Sequence, residues 1–176
     1  MCKKYKHGIA CMRCQPLHNG HVKLIKRMNE ECENVTILLG SSQENRTKKN
    51  PFTVIERQIL LSKVFSNYKN INWIAIKDIN SYKNWGKYVI SAVNYKLWNL
   101  SAVDSYYGGE ENIYNFLGKN IYIEMCNRDD ISGTIVRDLM FNKKTDEWKK
   151  YVPEEIHFDL SLFKEIVKNE MIEFND

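Results

Sequence analysis

Residues 9–21 read Ile9-Ala10-Cys11-Met12-Arg13-Cys14-Gln15-Pro16-Leu17-His18-Asn19-Gly20-His21. Four residues suited to a buried strand run into a polar turn, and from about Gly20 to Glu33 the pattern changes period. There Val22, Ile25, Met28 and Cys32 recur at helical spacing, while Lys23, Lys26, Arg27 and Glu30 fall on the opposite face. Val35-Thr36-Ile37-Leu38-Leu39 follows, a continuous apolar run closed by Gly40, as interior parallel strands read. Strand, helix and strand in that order make a βαβ unit, and a βαβ unit implies a parallel sheet.

The same alternation continues outward. The polar loop Ser41–Asn50 leads to Pro51 and to Thr53, an N-cap with Glu56 three residues on in the capping-box arrangement. The helix after it is expected to turn Ile55, Ile59, Val64 and Phe65 inward. Ile71–Ile76 reads as a third strand, Trp85–Trp98 as a third helix and Ser101–Tyr107 as a fourth strand. Glu110–Leu117 reads as a short helix, Asn120–Met125 as a fifth strand, and Ser132 caps a helix to about Phe141. Leu160–Met171 is the last helix. The expected fold class is α/β: a doubly wound, mostly parallel five-stranded sheet with helices on both faces and right-handed crossovers. Ligands of such sheets bind beyond the carboxyl ends of the strands, where the strand order reverses. That rule selects loops 13–20, 41–52, 77–84, 106–112 and 126–134.

With 176 residues the chain is expected to form one domain, residues 1–176, ending in a helical segment from about 145 to 176. Hydrophobic residues at 43% and charged residues at 27% indicate a packed core rather than disorder. The net charge of +4 is spread with both signs interspersed, so it does not decide between a basic surface and a few local cations around a small anion. Cys2, Cys11, Cys14, Cys32 and Cys126 are an odd set without framework spacing, and no stretch reaches the length of a membrane span. A cytoplasmic protein with reduced thiols and no membrane partner is the expectation. Cys11 and Cys14 have C-x-x-C spacing, yet no second pair completes a zinc site. Neither zinc nor a flavin is expected.

Neither G-x-G-x-x-G nor G-x-x-x-x-G-K-[ST] is present, which argues against a dinucleotide dehydrogenase and a P-loop NTPase. Instead His18 and His21 flank Gly20 where the next helix begins. Free backbone N–H groups and the positive end of the helix dipole make that a ready anion site. The imidazoles can add donors and Arg13 a bidentate cation, while Gly20 lets a phosphate approach the backbone. Two histidines near a turn by chance is the plainer alternative. Far along the chain Ile131-Ser132-Gly133-Thr134-Ile135-Val136-Arg137 offers hydroxyls and open N–H groups at another helix start, with Arg137 one turn in. Alone, it is equally an ordinary capped helix with a surface arginine.

Together, H-x-G-H after the first strand and I-S-G-T-x-x-R late in the chain resemble the nucleotidylyltransferase superfamily. Within it the chain more closely resembles archaeal-type nicotinamide-mononucleotide (NMN) adenylyltransferases. Their G-R-F-Q-P-x-H-x-G-H is matched from Met12 to His21 except at Met12 and Cys14. Their G-S-x-Q-x-x-x-T-x-x-N-P-F-T-x-x-E-R is matched from Gly40 to Arg57. Asp78-Ile79-Asn80 followed by Trp85, and Trp148 followed by Val152-Pro153, resemble two further segments. Arg46 stands where the archaeal relatives usually carry His, and Tyr107 to Asn112 replaces their S-[GN]-N-P loop. No Nudix-box pattern occurs, so no fused Nudix domain is expected.

The resemblance implies a Rossmann-like fold and transfer of AMP from ATP to NMN, giving NAD and pyrophosphate without a covalent intermediate. It implies His18, His21 and Arg137 as catalytic residues. On the ATP side it implies these three with Arg13, Gln15, Pro16, Gly20, Ser132 and Thr134. Ser41, Arg46, Asp78, Ile79, Asn80 and Trp85 fall to the NMN side. Trp85 could instead anchor its helix, and Arg46 could be a solvated loop residue. Mg²⁺ is expected on the ATP phosphates with few protein ligands, the partners are ATP and NMN rather than nucleic acid, and a homo-oligomer is expected. Other acceptors (nicotinate mononucleotide, phosphopantetheine, FMN), a cytidylyltransferase, and a nucleotide-binding regulator without catalysis stay open. Arg128-Asp129-Asp130-Ile131-Ser132-Gly133-Thr134 departs from the R-T-x-G-I-S-T-T of cytidylyltransferases.

Overall fold

A computed structural model describes residues 2–79, 81–98, 100, 102–109, 120–126, 131–143 and 146–171, with the backbone alone at 82. In it Tyr5–Met12 forms β1, followed by α1 (Asn19–Glu31), β2 (Cys32–Leu39), α2 (Val54–Phe65) and β3 (Ile71–Ala75). Then come α3 (Tyr82–Lys96), β4 (Ser105–Gly108), β5 (Tyr122–Met125), α4 (Gly133–Phe141) and α5 (His157–Glu170). The strand order is β3-β2-β1-β4-β5 with every pairing parallel. The expected α/β fold is therefore present, and its sheet is parallel throughout. Order reverses between β1 and β4, so the carboxyl ends of those strands, at Met12 and Gly108, frame the crevice.

Side chains of the strands alternate between two cores, as the period of two requires. Ala10 and Met12 of β1 with Val35, Ile37 and Leu39 of β2 face a cluster shared with Ile25 and Met28 of α1, Leu60 of α2 and Leu160 of α5. Ile9 and Leu38 face the other way, against Val89 and Val93 of α3 and Tyr106 of β4. Helices thus cover both faces. No helix among the described residues is long and apolar enough to cross a membrane.

Several boundaries differ from the expectation. β1 starts at Tyr5 rather than Ile9 because the polar residues before Ile9 have partners. His7 is buried with Nε2 2.8 Å from Thr36 Oγ1, and the Lys6 and His7 N–H groups donate to the Asp104 carboxylate. Cys32, placed on the helix by its spacing, opens β2 instead, and its N–H closes α1 onto the Met28 carbonyl. No connecting residue separates Glu31 from Cys32. Trp98 lies beyond the end of α3 and is exposed. The helix expected over 110–117 lies outside the described residues.

The correction that matters for the site concerns α2. Its inward face carries Arg57, Leu60, Leu61 and Phe65, whereas Ile55 is 65% exposed and Ile59 is 37% exposed. Apolar residues occur on both sides of this helix, so periodicity alone leaves its rotation ambiguous. Burial of the Arg57 guanidinium settles the phase and carries Ile55 outward. Leu61→Ala is expected to cost about 2–5 kcal/mol, and Ile55→Ala less than about 0.5 kcal/mol, in urea unfolding.

Candidate active site

After Met12 the chain turns sharply, with Cys14 in the left-handed region at φ +49°. Gln15 then lies along the loop that follows β2. Its Nε2 donates to the Phe52 carbonyl at 2.7 Å and its Oε1 accepts the Phe52 N–H at 2.9 Å. The side chain expected near ATP therefore behaves like a strand edge that joins loop 13–18 to loop 41–52. Pro16 and Leu17 are buried behind it. The Cys11 and Cys14 thiols are pushed up to about 12 by burial, which keeps both protonated.

A fully buried arginine holds the same junction. Arg57 Nη1 donates to the carbonyls of Arg13 and Gly40, each at 2.8 Å, and Nη2 donates to the Ser41 carbonyl at 3.3 Å. Burial, with the charge of Arg13 nearby, lowers its pKa from the ordinary arginine value. In the sequence Arg57 is only a matched motif position; no helical or strand pattern reveals that its partners are backbone carbonyls at the ends of β1 and β2.

His18 is the N-cap of α1, and Gly20 and His21 lie in the first turn. The two imidazoles stack with ring centroids 3.6 Å apart. The His18 backbone N–H donates to His21 Nδ1 at 3.3 Å. Nδ1 being an acceptor, a neutral His21 carries its proton on Nε2. Burial and the neighbouring His18 ring hold its pKa well below 6.5. At neutral pH His21 is thus an uncharged donor at a helix start, a favourable arrangement for an oxyanion.

The second motif joins the first through backbone. Ser132 caps α4 by accepting the Ile135 N–H at 3.3 Å. A Cβ on Gly133 would stand 3.2 Å from the Gln15 carbonyl oxygen, so glycine lets α4 start against the turn. Arg137 Nη1 donates to that same carbonyl at 2.6 Å, and Nη2 to Thr134 Oγ1 at 3.1 Å. Burial and the charge of Arg13 lower the Arg137 pKa from its ordinary value. Among the described residues no carboxylate pairs with Arg13, Arg57 or Arg137. Arg13 lies close enough to repel both Arg57 and Arg137, while the Asp78 carboxylate offsets part of the charge at Arg57.

On the proposed acceptor side the structure is less uniform. Asp78 accepts the Ser41 N–H at 3.1 Å and the Ser41 hydroxyl at 2.7 Å, and its own N–H donates to Gln43 Oε1. Ser41, at φ +49°, is thereby pinned to the exit of β3. Ile79 is half-buried, and Asn80 lies outside the described residues. Trp85 is half-buried on α3 and meets Tyr106 edge-on at 6.3 Å. Arg46 does not stand free for a phosphate, as expected of it, nor is it solvated. Both of its Nη atoms pair with Glu56 at 2.8 Å and its Nε with Glu170. β4 ends at Gly108 and Gly109 follows it, while residues 110–112 of the altered loop lie outside the described residues.

No cluster of three or more His, Cys, Asp or Glu able to hold a metal ion occurs among the described residues. The charged and polar groups of the two motifs are imidazoles, guanidinium groups and hydroxyls, which suit phosphate oxygens. They do not build an all-protein site for Mg²⁺, which takes oxygen ligands in octahedral geometry.

Residues 13–139 match the model of the cytidylyltransferase-like family. The chain belongs to this family. It is 33% identical over 150 residues to the nicotinamide-nucleotide adenylyltransferase of Methanococcus vannielii, which covers 82% of this chain and 81% of that one. The protein of the same name from Picrophilus torridus is 32% identical over 154 residues, 80% of this chain and 82% of that one. A bifunctional NMN adenylyltransferase/ADP ribose pyrophosphatase from Francisella tularensis, solved with AMP and a manganese ion, shares the fold with a TM-score of 0.76 at 18% identity. The match covers 96% of this chain and 52% of that one, so this chain spans about half of the bifunctional protein. Family membership makes the chain a nucleotidyltransferase, as the paired motifs implied.

Arg57→Leu is expected to cost about 3–5 kcal/mol in urea unfolding, because buried carbonyls at the ends of both strands lose their donor. His21 carries a pH signature of its own. Its folded pKa lies below the unfolded value, so the unfolded chain binds the extra proton and stability falls on acidification below about pH 6.5. His21→Asn should flatten the pH dependence of the unfolding free energy between pH 7 and 5 by up to about 1.4 kcal/mol per pH unit.

Proposed function

We propose that this protein transfers the adenylyl group of ATP to NMN, producing NAD and pyrophosphate. The observation that carries the reading is the 2.6 Å bond from Arg137 to the Gln15 carbonyl. It sets the start of α4 against the turn that leads into α1, and in this reading Arg13, Arg137, His18 and His21 serve one polyphosphate together. The relatives' names support ATP and NMN as the pair of substrates.

In this reading a phosphate oxygen of NMN attacks the α-phosphorus of ATP in line. The new O–P bond forms as the bond from the α-phosphorus to the bridging oxygen breaks, and pyrophosphate leaves with that electron pair. The nucleophile is already an anion, so no general base is required, and catalysis is positioning plus charge stabilisation. His21 donates its Nε2–H to an α-phosphate oxygen as charge builds there, and His18 supports it by stacking. Arg13 and Arg137 neutralise the departing pyrophosphate. Ser132 and Thr134 orient α4 and the Arg137 fork, and Gln15 and Pro16 shape the turn beneath them.

Ser41, Asp78, Ile79, Asn80 and Trp85 form the acceptor side, with the Trp85 indole offered to the pyridine ring. Arg46 is left out of this set because two carboxylates already hold it. Mg²⁺ enters with ATP, where it would supply charge neutralisation on the phosphates, and no residue of this chain is assigned to it. A homo-oligomer belongs to the same reading and is checked by light scattering.

His21→Ala is expected to reduce turnover by about a hundredfold or more while circular dichroism and thermal melting stay close to the parent protein. Near-normal turnover would remove His21 from the mechanism. Pyrophosphate release is to be followed with ATP or CTP against NMN, nicotinate mononucleotide, phosphopantetheine and FMN. ATP with NMN should be the fastest pair; tight ATP binding without turnover on any acceptor would point to a regulator.

A further inference from the structure

Arg46 sits on the loop between β2 and α2 at φ +52°, a conformation that residues with a Cβ seldom adopt. Its guanidinium is wrapped on three sides. Nη1 and Nη2 fork onto the two oxygens of Glu56 at 2.8 Å, Nη1 also donates to the Pro51 carbonyl at 2.9 Å, and Nε donates to the Glu170 carboxylate. Glu56 Oε2 accepts the Thr53 N–H as well, at 2.7 Å, so one carboxylate secures both the start of α2 and Arg46.

Glu170 comes from the last turn of α5. Lys63 near the end of α2 pairs with Asp159 near the start of α5 at 3.5 Å, whereas Arg46 links Glu56 at the start of α2 to Glu170. The two helices are therefore antiparallel and tied across at both ends, with Arg46 as one of the ties. The loop it belongs to is also fastened near its two ends, by Ser41 and Gln43 to Asp78, by Ser41 to Arg57, and by Phe52 to Gln15. Between them the Thr47 and Asn50 backbones bond reciprocally at 3.3 and 3.1 Å, leaving Lys48 and Lys49 exposed at the tip.

Two carboxylates around one guanidinium carry a net charge of −1, and an incoming phosphate meets that sum rather than a bare cation. We infer that Glu170 is a positioning residue for the acceptor side. Through Arg46 it holds loop 41–52 in shape, and Arg46 is a strut in the loop and not a ligand of the acceptor phosphate. The kinetic consequence rests on the acceptor reading above; the structural one does not.

Glu170→Gln and Glu170→Asp in the full-length protein test this. Glu170 is exposed at a helix end, so both variants are expected to fold, and melting curves verify it. Trypsin cleavage after Lys48 and Lys49, measured relative to cleavage elsewhere in the chain, separates opening of the loop from global unfolding. In Glu170→Gln this relative cleavage should rise about three- to fivefold, and KM for NMN by a similar factor, with kcat and KM for ATP within about twofold. The modest size follows from a carboxylate that is 54% exposed. Glu170→Asp should recover most of both effects. Unchanged cleavage in Glu170→Gln overturns the inference. So does a lower KM for NMN, because releasing Arg46 would then have freed a phosphate ligand. Should no protein form NAD, the acceptor reading fails while the cleavage rates still decide the strut.

Discussion

The buried guanidinium of Arg57 is the contact on which the rest of the site depends. A charge with no exposed surface is costly unless its donors are used, and here they meet carbonyls at the ends of the two central strands. Those carbonyls lie where the parallel ladder stops and the chain must turn, so they would otherwise be orphaned. One side chain from α2 thus closes the carboxyl ends of β1 and β2 and sets the rotation of its own helix. The turn carrying Arg13 and Gln15 is built on that closure.

The region is held largely by bonds to backbone rather than by ion pairs. Gln15 spends its amide on Phe52, Arg57 spends its donors on strand ends, and Arg137 rests on the Gln15 carbonyl. Carboxylates are placed elsewhere: Asp78 on Ser41, and Glu56 with Glu170 on Arg46. This division lets Arg13 and Arg137 keep their charge for an anion. His21 stays neutral beside these cations because burial and the stacked His18 both disfavour its protonation.

Much of this was legible in the residue order. Apolar runs such as Val35–Leu39 identify central strands because burial on both faces leaves no alternation to misread, and Thr53 with Glu56 marks a helix start through chemistry confined to four residues. The two motifs were legible as anion sites, and their resemblance to a family joined them. Less legible were features that depend on distant partners. Tyr5–Gly8 hides a strand because His7 finds Thr36 across the sheet, and Ile55 and Ile59 look like core until Arg57 is known to point inward. Arg46 reads as a free cation, since neither Glu170 nor its position beside α2 can be inferred from spacing.

The direct junction of α1 and β2 has a consequence for how this chain can tolerate change in length. Glu31 ends the helix and Cys32 begins the strand, so no slack exists at that end. An insertion or deletion within α1 must therefore be absorbed at its other end. Each residue added there advances the helix by about 1.5 Å and rotates it by about 100°. His18 and His21 would leave the Arg137 side of the crevice with the first such step. The spacing between the histidine pair and the second strand is thus held by the geometry of a helix without a hinge.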